Sequence, residues 1–264
     1  MGTMGMKRIL ITGAAKGIGS ATVRLAIEAG HQVVAVDIDR EALVRLREEL
    51  PGIETAILDV RDLAAWERVV ESAERQGGPI DILVNNAGVC LPGPCNEVSA
   101  EDDRLTVEVN LLGVMNGVRT ILPRFLERQR GHVINVASMA AFAPAPDLAA
   151  YCATKHAVRA YTHSCALDLR HAPLDWTLVC PGAVDTPMLE GMRKRRAGVV
   201  VFTEKAMAPE AIGRAIVEAI REPRREVLVP SVRGKLIRFL GLFPGLLSRG
   251  MDDAERRGRA ALGD

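Results

Sequence analysis

Short apolar segments alternate with longer segments of helical composition along most of the chain. The apolar segments occupy residues 8–12, 31–36, 54–60, 80–84, 131–138, 175–180 and 225–230. A run without polar alternation, such as 80–84, is typical of a strand buried on both faces of a parallel sheet. Helical segments lie between them, at 20–29, 41–50, 62–76, 99–129, 151–169 and 209–221. This alternation predicts an α/β fold with a doubly wound parallel sheet between two helical layers.

The predicted organisation is a single domain over residues 1–264, with a core at about 7–230. A loop or lid over the substrate is expected at 187–205, and an extension follows at 231–264. Within that extension, residues 235–247 are unusually apolar for a tail. They are interpreted as a cover for a substrate cleft, a contact with another subunit, or a weak peripheral membrane contact. The charged end is expected to be helical or frayed.

Composition narrows the class of protein. The net charge of +1 gives no reason to expect nucleic acid as a partner. Five scattered cysteines without CxxC spacing favour reduced thiols in the cytoplasm and no metal site. The start of the chain lacks the pattern of a secretory signal, and no apolar stretch reaches the ~18 residues of a membrane span.

A glycine-rich turn follows the first predicted strand. The turn reads Gly-Ala-Ala-Lys-Gly-Ile-Gly over residues 13–19 and precedes a helix. In this arrangement backbone N–H groups and a helix N-terminus can face a pyrophosphate. The spacing differs from the standard GxGxxG pattern, so a simple tight turn is the alternative interpretation. The predicted nucleotide contacts are Gly13, Lys16, Gly17, Ile18 and Gly19.

Two carboxylates end the next predicted strands. Asp37 ends the second strand, where an acid can bind a ribose 2′-hydroxyl and repel a 2′-phosphate, so NAD is favoured over NADP. Asp39 is a competing candidate that is better placed to cap a helix. Lys16 and Arg40 favour the opposite preference, because either could reach a 2′-phosphate. Asp59 ends the third strand and is expected to meet an adenine amino group, or else to cap the following helix.

Tyr151 and Lys155 are the candidate acid/base pair. Residues four apart in a helix lie on the same face. An ammonium beside a phenol favours the phenolate, so we expect Lys155 to lower the pKa of Tyr151. Such a tyrosine can exchange a proton with an alcohol or ketone oxygen. For an isolated pair the alternative is surface packing with a snorkelling lysine.

Two further polar residues join this pair as candidates. Ser138 ends a predicted strand, at the edge where open parallel sheets place their active sites. Its hydroxyl can donate to a substrate oxygen, although capping is the common use of such a serine. Asn110 lies in the middle of the predicted helix 99–129, where a buried amide is costly unless it is used. His132 and His156 are not expected to be catalytic.

In this order and spacing, the motifs resemble those of the short-chain dehydrogenase/reductase family. They are Thr12-Gly13-x3-Gly17-x-Gly19, Asp59-Val60, Asn85-Asn86-Ala87-Gly88, Asn110, Ser138, Tyr151-x3-Lys155 and Pro181-Gly182 with Thr186. The resemblance implies a Rossmann fold. It also implies that Asn110 sits at a helix distortion and holds a water connected to the lysine, and that Lys155 binds the nicotinamide ribose. The remaining implied cofactor contacts are Val60, Asn86, Ala87, Gly88, Tyr151, Pro181, Gly182, Val184 and Thr186.

The resemblance further implies an NAD(P)-dependent oxidoreductase that interconverts a secondary alcohol and a ketone. The apolar tail favours a hydrophobic substrate such as a steroid or an aliphatic alcohol. A 3-oxoacyl-thioester reductase is an alternative, for which the basic run 193–196 could bind an anionic group, although a solvated face is the simpler interpretation. A non-catalytic nucleotide sensor and a methyltransferase are rivals from other classes. Assembly into a homotetramer or homodimer is expected by resemblance.

Overall fold

The computed structural model describes residues 5–263, and residues 1–4 and 264 of the predicted domain lie outside this range. Across the described residues seven strands form one parallel sheet with the order β3-β2-β1-β4-β5-β6-β7. The doubly wound parallel sheet predicted from the sequence is confirmed. The strands are β1 (Arg8–Thr12), β2 (Gln32–Asp37), β3 (Glu54–Ile57), β4 (Ile82–Asn85), β5 (Gly131–Val136), β6 (Leu174–Pro181) and β7 (Glu226–Val229).

Helices connect the strands and cover both faces of the sheet. In chain order they are α1 (Gly17–Glu28), α2 (Arg40–Glu49), α3 (Leu63–Gly77), α4 (Ala100–Val107), α5 (Gly113–Glu127), α6 (Ala149–Asp168), α7 (Pro187–Arg195), α8 (Pro209–Arg221), α9 (Ser231–Leu240), α10 (Pro244–Arg249) and α11 (Met251–Ala261). Successive strand side chains point to opposite faces. Ile9 and Ile11 therefore pack with α1, α2 and α8, whereas Leu10 packs with α3, α5 and α6.

The long helix predicted at 99–129 is interrupted. Ser99 caps α4 as expected, since its hydroxyl accepts a hydrogen bond from the Asp102 N–H at 3.1 Å. A π-helical turn at Glu108–Leu112 then separates α4 from α5. Such turns shift the side chains that follow and are frequent at functional sites. This one carries Asn110, where the resemblance implied a distortion.

Two predicted elements differ from the structure. The third strand ends at Ile57 rather than at residue 60. The Leu58 N–H still donates to the Asp37 carbonyl at 2.9 Å, and Leu58 and Val60 are buried by side-chain packing beyond the last paired residue. The expected loop at 187–205 contains α7 and a 3₁₀ turn at Val199–Thr203. Thr186 caps α7 and Pro187 follows at its first position, both standard features of a helix start.

The extension after β7 is helical. Its last helix, α11, packs against the 3₁₀ turn so closely that a Cβ at Gly258 would collide with the Val199 carbonyl. The charged end is therefore a packed helix, consistent with one of the two expected forms. Within residues 5–263 no helix combines the length and apolarity needed to cross a bilayer.

Candidate active site

The glycine turn between β1 and α1 has a backbone shape that requires glycine. Gly13 and Gly17 have φ values of 60° and 53°, in the left-handed region. A Cβ at Gly19 would overlap the Gly13 carbonyl. Lys16 occupies the N-cap of α1 without a capping side-chain hydrogen bond, so the first N–H groups of the helix are not satisfied in that way. This uncapped helix start beside a close glycine cradle fits a nucleotide pyrophosphate.

The segment Asn85–Gly88 is tied to the glycine turn. Thr12 Oγ1 accepts hydrogen bonds from the N–H groups of Asn86 (2.9 Å) and Ala87 (3.0 Å). The Asn86 amide donates to the carbonyl oxygens of Thr12 (2.9 Å) and Gly13 (3.1 Å). These bonds hold two of the predicted cofactor-binding segments side by side at the carboxyl edge of the sheet.

Asp37 and Asp39 lie next to the glycine turn but make different contacts. The Asp37 carboxylate accepts hydrogen bonds from the N–H groups of Ala15 and Asp39, both at 3.0 Å. Asp39 caps α2 through the Ala42 N–H, as the sequence indicated, and pairs with Lys16 at 2.5 Å. Lys16 lowers the pKa of Asp39 through this bond. The lysine that could favour a 2′-phosphate is therefore already held by a carboxylate.

Asp59 lies in the loop after β3 and is bound by a neighbouring arginine. Arg61 Nη2 is 2.6 Å from Asp59 Oδ2, and this hydrogen bond lowers the pKa of the carboxyl. Asp62 caps α3, so the alternative role of Asp59 as the cap of that helix is wrong. Val60 is buried, and its carbonyl accepts hydrogen bonds from Trp66 Nε1 (3.0 Å) and Asn116 Nδ2 (3.1 Å).

The structure brings Tyr151, Lys155 and Ser138 together. Both members of the predicted pair lie on α6, and Lys155 Nζ is 5.6 Å from the centre of the Tyr151 ring. The Lys155 side chain is buried, with 4% of the residue exposed, and Nζ donates to the Val136 carbonyl at 3.1 Å. Ser138 follows β5 and lies within hydrogen-bonding reach of the Tyr151 hydroxyl.

The pKa shifts in this group come mainly from burial. Burial lowers the pKa of Lys155 to about 8, because the ammonium loses its hydration. Burial also raises the pKa of Tyr151 above its ordinary value, and the hydrogen bond from Ser138 opposes this only in part. The expected lowering of the Tyr151 pKa is therefore wrong for the free protein, since desolvation of the phenolate outweighs stabilisation by its surroundings.

Asn110 is fully buried and its amide is satisfied by the loop after β4. Its Oδ1 accepts from the Val89 N–H at 2.8 Å, and its Nδ2 donates to the Val89 carbonyl at 2.9 Å and to Thr154 Oγ1 at 3.3 Å. A Cβ on Gly88 would lie 3.2 Å from Asn110 Oδ1 and 3.7 Å from Lys155 Nζ. Asn110 and Lys155 therefore border the same glycine.

The segment after β6 crosses back toward the glycine turn. Gly182 continues the sheet edge, with its N–H donating to the Val229 carbonyl at 2.8 Å. Val184 is buried and Thr186 Oγ1 donates to its carbonyl at 3.3 Å. A Cβ on Gly17 would lie 3.0 Å from Thr186 Cγ2. The predicted cofactor contacts of the glycine turn and of the segment after β6 therefore lie next to each other.

Comparison with known proteins agrees with this arrangement. The family model described as short chain dehydrogenase matches residues 7–197. The chain belongs to the short-chain dehydrogenase/reductase family. Oxidoreductase UcpA of Salmonella typhimurium is 34% identical over 245 residues, covering 91% of this chain and 89% of that protein.

Solved structures of the family superpose well on the fold. A short-chain dehydrogenase/reductase from Burkholderia phymatum in complex with NAD has a TM-score of 0.81 at 29% identity, covering 90% of this chain and 94% of that one. The closed form of a serine dehydrogenase complexed with NADP+ has a TM-score of 0.78 at 31% identity, covering 84% and 93%. One of these structures contains NAD and the other NADP+, so they do not establish which cofactor this chain prefers.

The sequence predicted a lid over the substrate at 187–205, which contains Leu189, Met192 and Phe202, but it did not identify the apolar cluster beside Tyr151. Tyr151 borders a cluster whose buried members are Leu148, Cys152, Leu189, Met192 and Phe202. Cys90 and Leu262 pack against the same cluster. These residues come from five separate parts of the chain, and none carries a motif. Hydrophobicity was their only sequence signal, and it does not distinguish a substrate wall from ordinary core. Among the described residues no group of three or more metal-binding side chains occurs.

Proposed function

We propose that the protein is an NAD(P)-dependent oxidoreductase that interconverts a secondary alcohol and a ketone. The main support is the grouping of Tyr151, Ser138 and Lys155 beside a glycine turn that fits a pyrophosphate. When bound, a nicotinamide nucleotide supplies the hydride chemistry. A methyltransferase would give no reason for these three side chains to meet.

The proposed roles follow from position. Tyr151 gives a proton to the ketone oxygen during reduction and takes one from the hydroxyl during oxidation. Ser138 donates a hydrogen bond to the same oxygen and stabilises developing negative charge. Lys155 is protonated below its pKa of about 8. Its positive charge stabilises the phenolate that forms when Tyr151 gives up its proton. That Asn110 holds a water connected to Lys155 stays a prediction, supported by the closeness of both side chains to Gly88.

A hydrophobic substrate is the favoured class. The cluster that packs next to Tyr151 is apolar and includes Leu148, Met192 and Phe202. The basic residues 193–196, which could bind the anionic group of an acyl thioester, have structural roles instead. Arg193 pairs with Glu190 at 2.9 Å, and the cationic end of α7 complements the helix dipole. A non-catalytic nucleotide sensor would not need the four catalytic candidates that this chain retains.

A substrate panel tests this function. Purified protein is assayed by nicotinamide absorbance with steroid, aliphatic, polyol and acyl-thioester substrates and with both cofactors. We expect steroid or aliphatic substrates to give a kcat/KM at least about tenfold above that of the polyols, because contact with the apolar cluster beside Tyr151 favours nonpolar substrate groups. Highest activity on acyl thioesters would favour the reductase alternative. Nucleotide binding without turnover of any substrate would favour the sensor.

We also propose that NAD is preferred, because Asp37 borders the glycine turn and Asp39 holds Lys16. Asp37→Asn should lower the ratio of kcat/KM for NAD to that for NADP by at least about tenfold, since it removes charge that repels a 2′-phosphate. Asp39→Asn keeps a good helix cap but releases Lys16, and should shift the ratio in the same direction.

Asp62→Asn is the matched control for these changes, because Asp62 caps α3 in the same way and has no contact with the glycine turn. Its ratio should equal that of the wild type. A wild-type preference for NADP, or an unchanged ratio in Asp37→Asn, would contradict the proposal.

Assembly and location are further proposals. A homotetramer or homodimer is supported by membership of the family alone. All five cysteines are free thiols, which supports a cytoplasmic location.

A further inference from the structure

The outer face of α9 and α10 carries an exposed apolar stripe. It consists of Val232, Leu236, Phe239, Leu242, Phe243 and Leu246, with exposures that reach 81% at Val232 and 71% at Leu242. Within α9, residues 232, 236 and 239 have the spacing of one side of a helix, while Leu242 and Phe243 lie between α9 and α10 and Leu246 lies on α10. In a globular protein such a stripe normally faces the core, and a contiguous exposed one marks an interaction surface.

The opposite side of α9 is fixed to the domain, so this exposure follows from the packing. A Cβ on Gly234 would lie 2.7 Å from Leu228 Cβ, and a Cβ on Gly241 would overlap the Phe142 carbonyl. Arg238 pairs with Glu226 at 2.7 Å. Rotating α9 to bury the stripe would break these contacts. The apolar side chains therefore face outward in the folded protein.

The segment that carries the stripe has charged residues of one sign. Residues 227–251 contain no Asp or Glu but four basic residues, in a chain whose net charge is only +1. Arg233 and Arg238 pair with Glu204 and Glu226, which lie outside this segment. Lys235 and Arg249 are exposed, and neither forms an ion pair with another described residue. An apolar stripe flanked by cations without ion-pair partners is complementary to a partner that has anionic groups at its surface and apolar groups beneath them.

We propose that this stripe docks the protein onto an anionic lipid bilayer. The apolar side chains enter the boundary between headgroups and acyl chains, and Lys235 and Arg249 meet the lipid phosphates. A second copy of this chain is a poorer occupant, because a twofold contact would bring two cationic patches together. The inference concerns a surface distinct from the proposed active site and does not depend on the proposed function.

Vesicle flotation of the full-length protein tests the proposal. Wild type should float with vesicles of phosphatidylcholine and phosphatidylglycerol, float poorly with phosphatidylcholine alone, and be released by salt. Lys235→Gln/Arg249→Gln should lower partitioning about 30-fold, from the two lost charges. Leu236→Ser/Phe239→Ser/Phe243→Ser should lower it by at least about tenfold. Val44→Ser/Leu167→Ser, at apolar residues exposed elsewhere, should bind like wild type.

A tryptophan at residue 242 reports the depth of insertion. In Leu242→Trp the emission should shift to the blue with anionic vesicles and be quenched by brominated lipids, whereas Trp66 and Trp176 are buried and provide a constant background. Thermal unfolding of each variant checks its fold. Absence of wild-type binding to anionic vesicles, or equal binding by the stripe variant, would overturn the proposal. The proposal would also be overturned if the substitutions in the stripe changed only the oligomeric state measured by sedimentation, because the stripe would then contact a second copy of the chain.

Discussion

Tyr151→Phe is expected to lower kcat by about 10³-fold while leaving NADH affinity within about twofold of wild type. The change removes one hydroxyl, the group proposed to exchange a proton with the substrate oxygen. The ring remains and keeps its contact with the apolar cluster and its position 5.6 Å from Lys155 Nζ. The loss should therefore appear in the chemical step and not in folding or nucleotide binding.

Steady-state kinetics on the best substrate of the panel and titration of NADH fluorescence measure the two quantities separately. The chain contains one other tyrosine, Tyr161, which is also on α6, is partly buried, and packs against clusters other than the one beside Tyr151. Tyr161→Phe is thus a matched control and should keep near-normal turnover. Retention of wild-type kcat in Tyr151→Phe would remove the central residue of the proposed mechanism.

Lys155→Met should lower kcat by at least about 10²-fold, because it removes the cation that stabilises the phenolate. It should also change how stability depends on pH. The pKa of Lys155 falls from 10.5 to about 8 on folding, so between these values the unfolded chain binds more protons than the native one. The destabilising cost of the buried ammonium is therefore complete below pH 8 and is relieved as the pH rises toward 10.5.

The stability of wild type relative to Lys155→Met should consequently increase by roughly 3 kcal/mol from pH 7 to pH 10.5, at about 1.4 kcal/mol per unit of pKa shift. Urea unfolding of both proteins across this range measures the difference, and common effects of other groups cancel. Lys205→Met, at an exposed lysine, controls for loss of a positive charge. A stability difference that is constant with pH would contradict the assignment of a desolvated ammonium.

The sheet was predictable because its determinants are local. Strands such as Ile82–Asn85 are apolar, and turns such as Gly13–Gly19 carry glycine where the backbone needs it. The pairing of Tyr151 with Lys155 follows from helical spacing alone. By contrast, nothing local ends the third strand at Ile57, because Leu58 and Val60 are as apolar as strand residues. Tertiary packing decides that boundary.

The region after β6 shows a different kind of error. Thr186 and Pro187 form a good helix start, yet a loop or lid was expected over residues 187–205. The direction of the Tyr151 pKa shift was not accessible from the sequence for a physical reason. It depends mainly on desolvation by burial, and also on electrostatic interactions with groups from distant parts of the chain, such as Cys90 and Cys180. Spacing within one helix contains no information about that environment.

The apolar cluster beside Tyr151 is built partly from residues beyond the portion that matches the family model. Phe202 and Leu262 contact the same cluster as Leu148, whereas the match ends at residue 197. In the proposed mechanism, nucleotide binding and proton transfer use residues of the matched portion, whereas the cluster beside Tyr151 combines that portion with later residues. Under the proposed function, exchanging the terminal helix between relatives should change substrate selectivity and leave the groups proposed to carry out the chemistry unchanged.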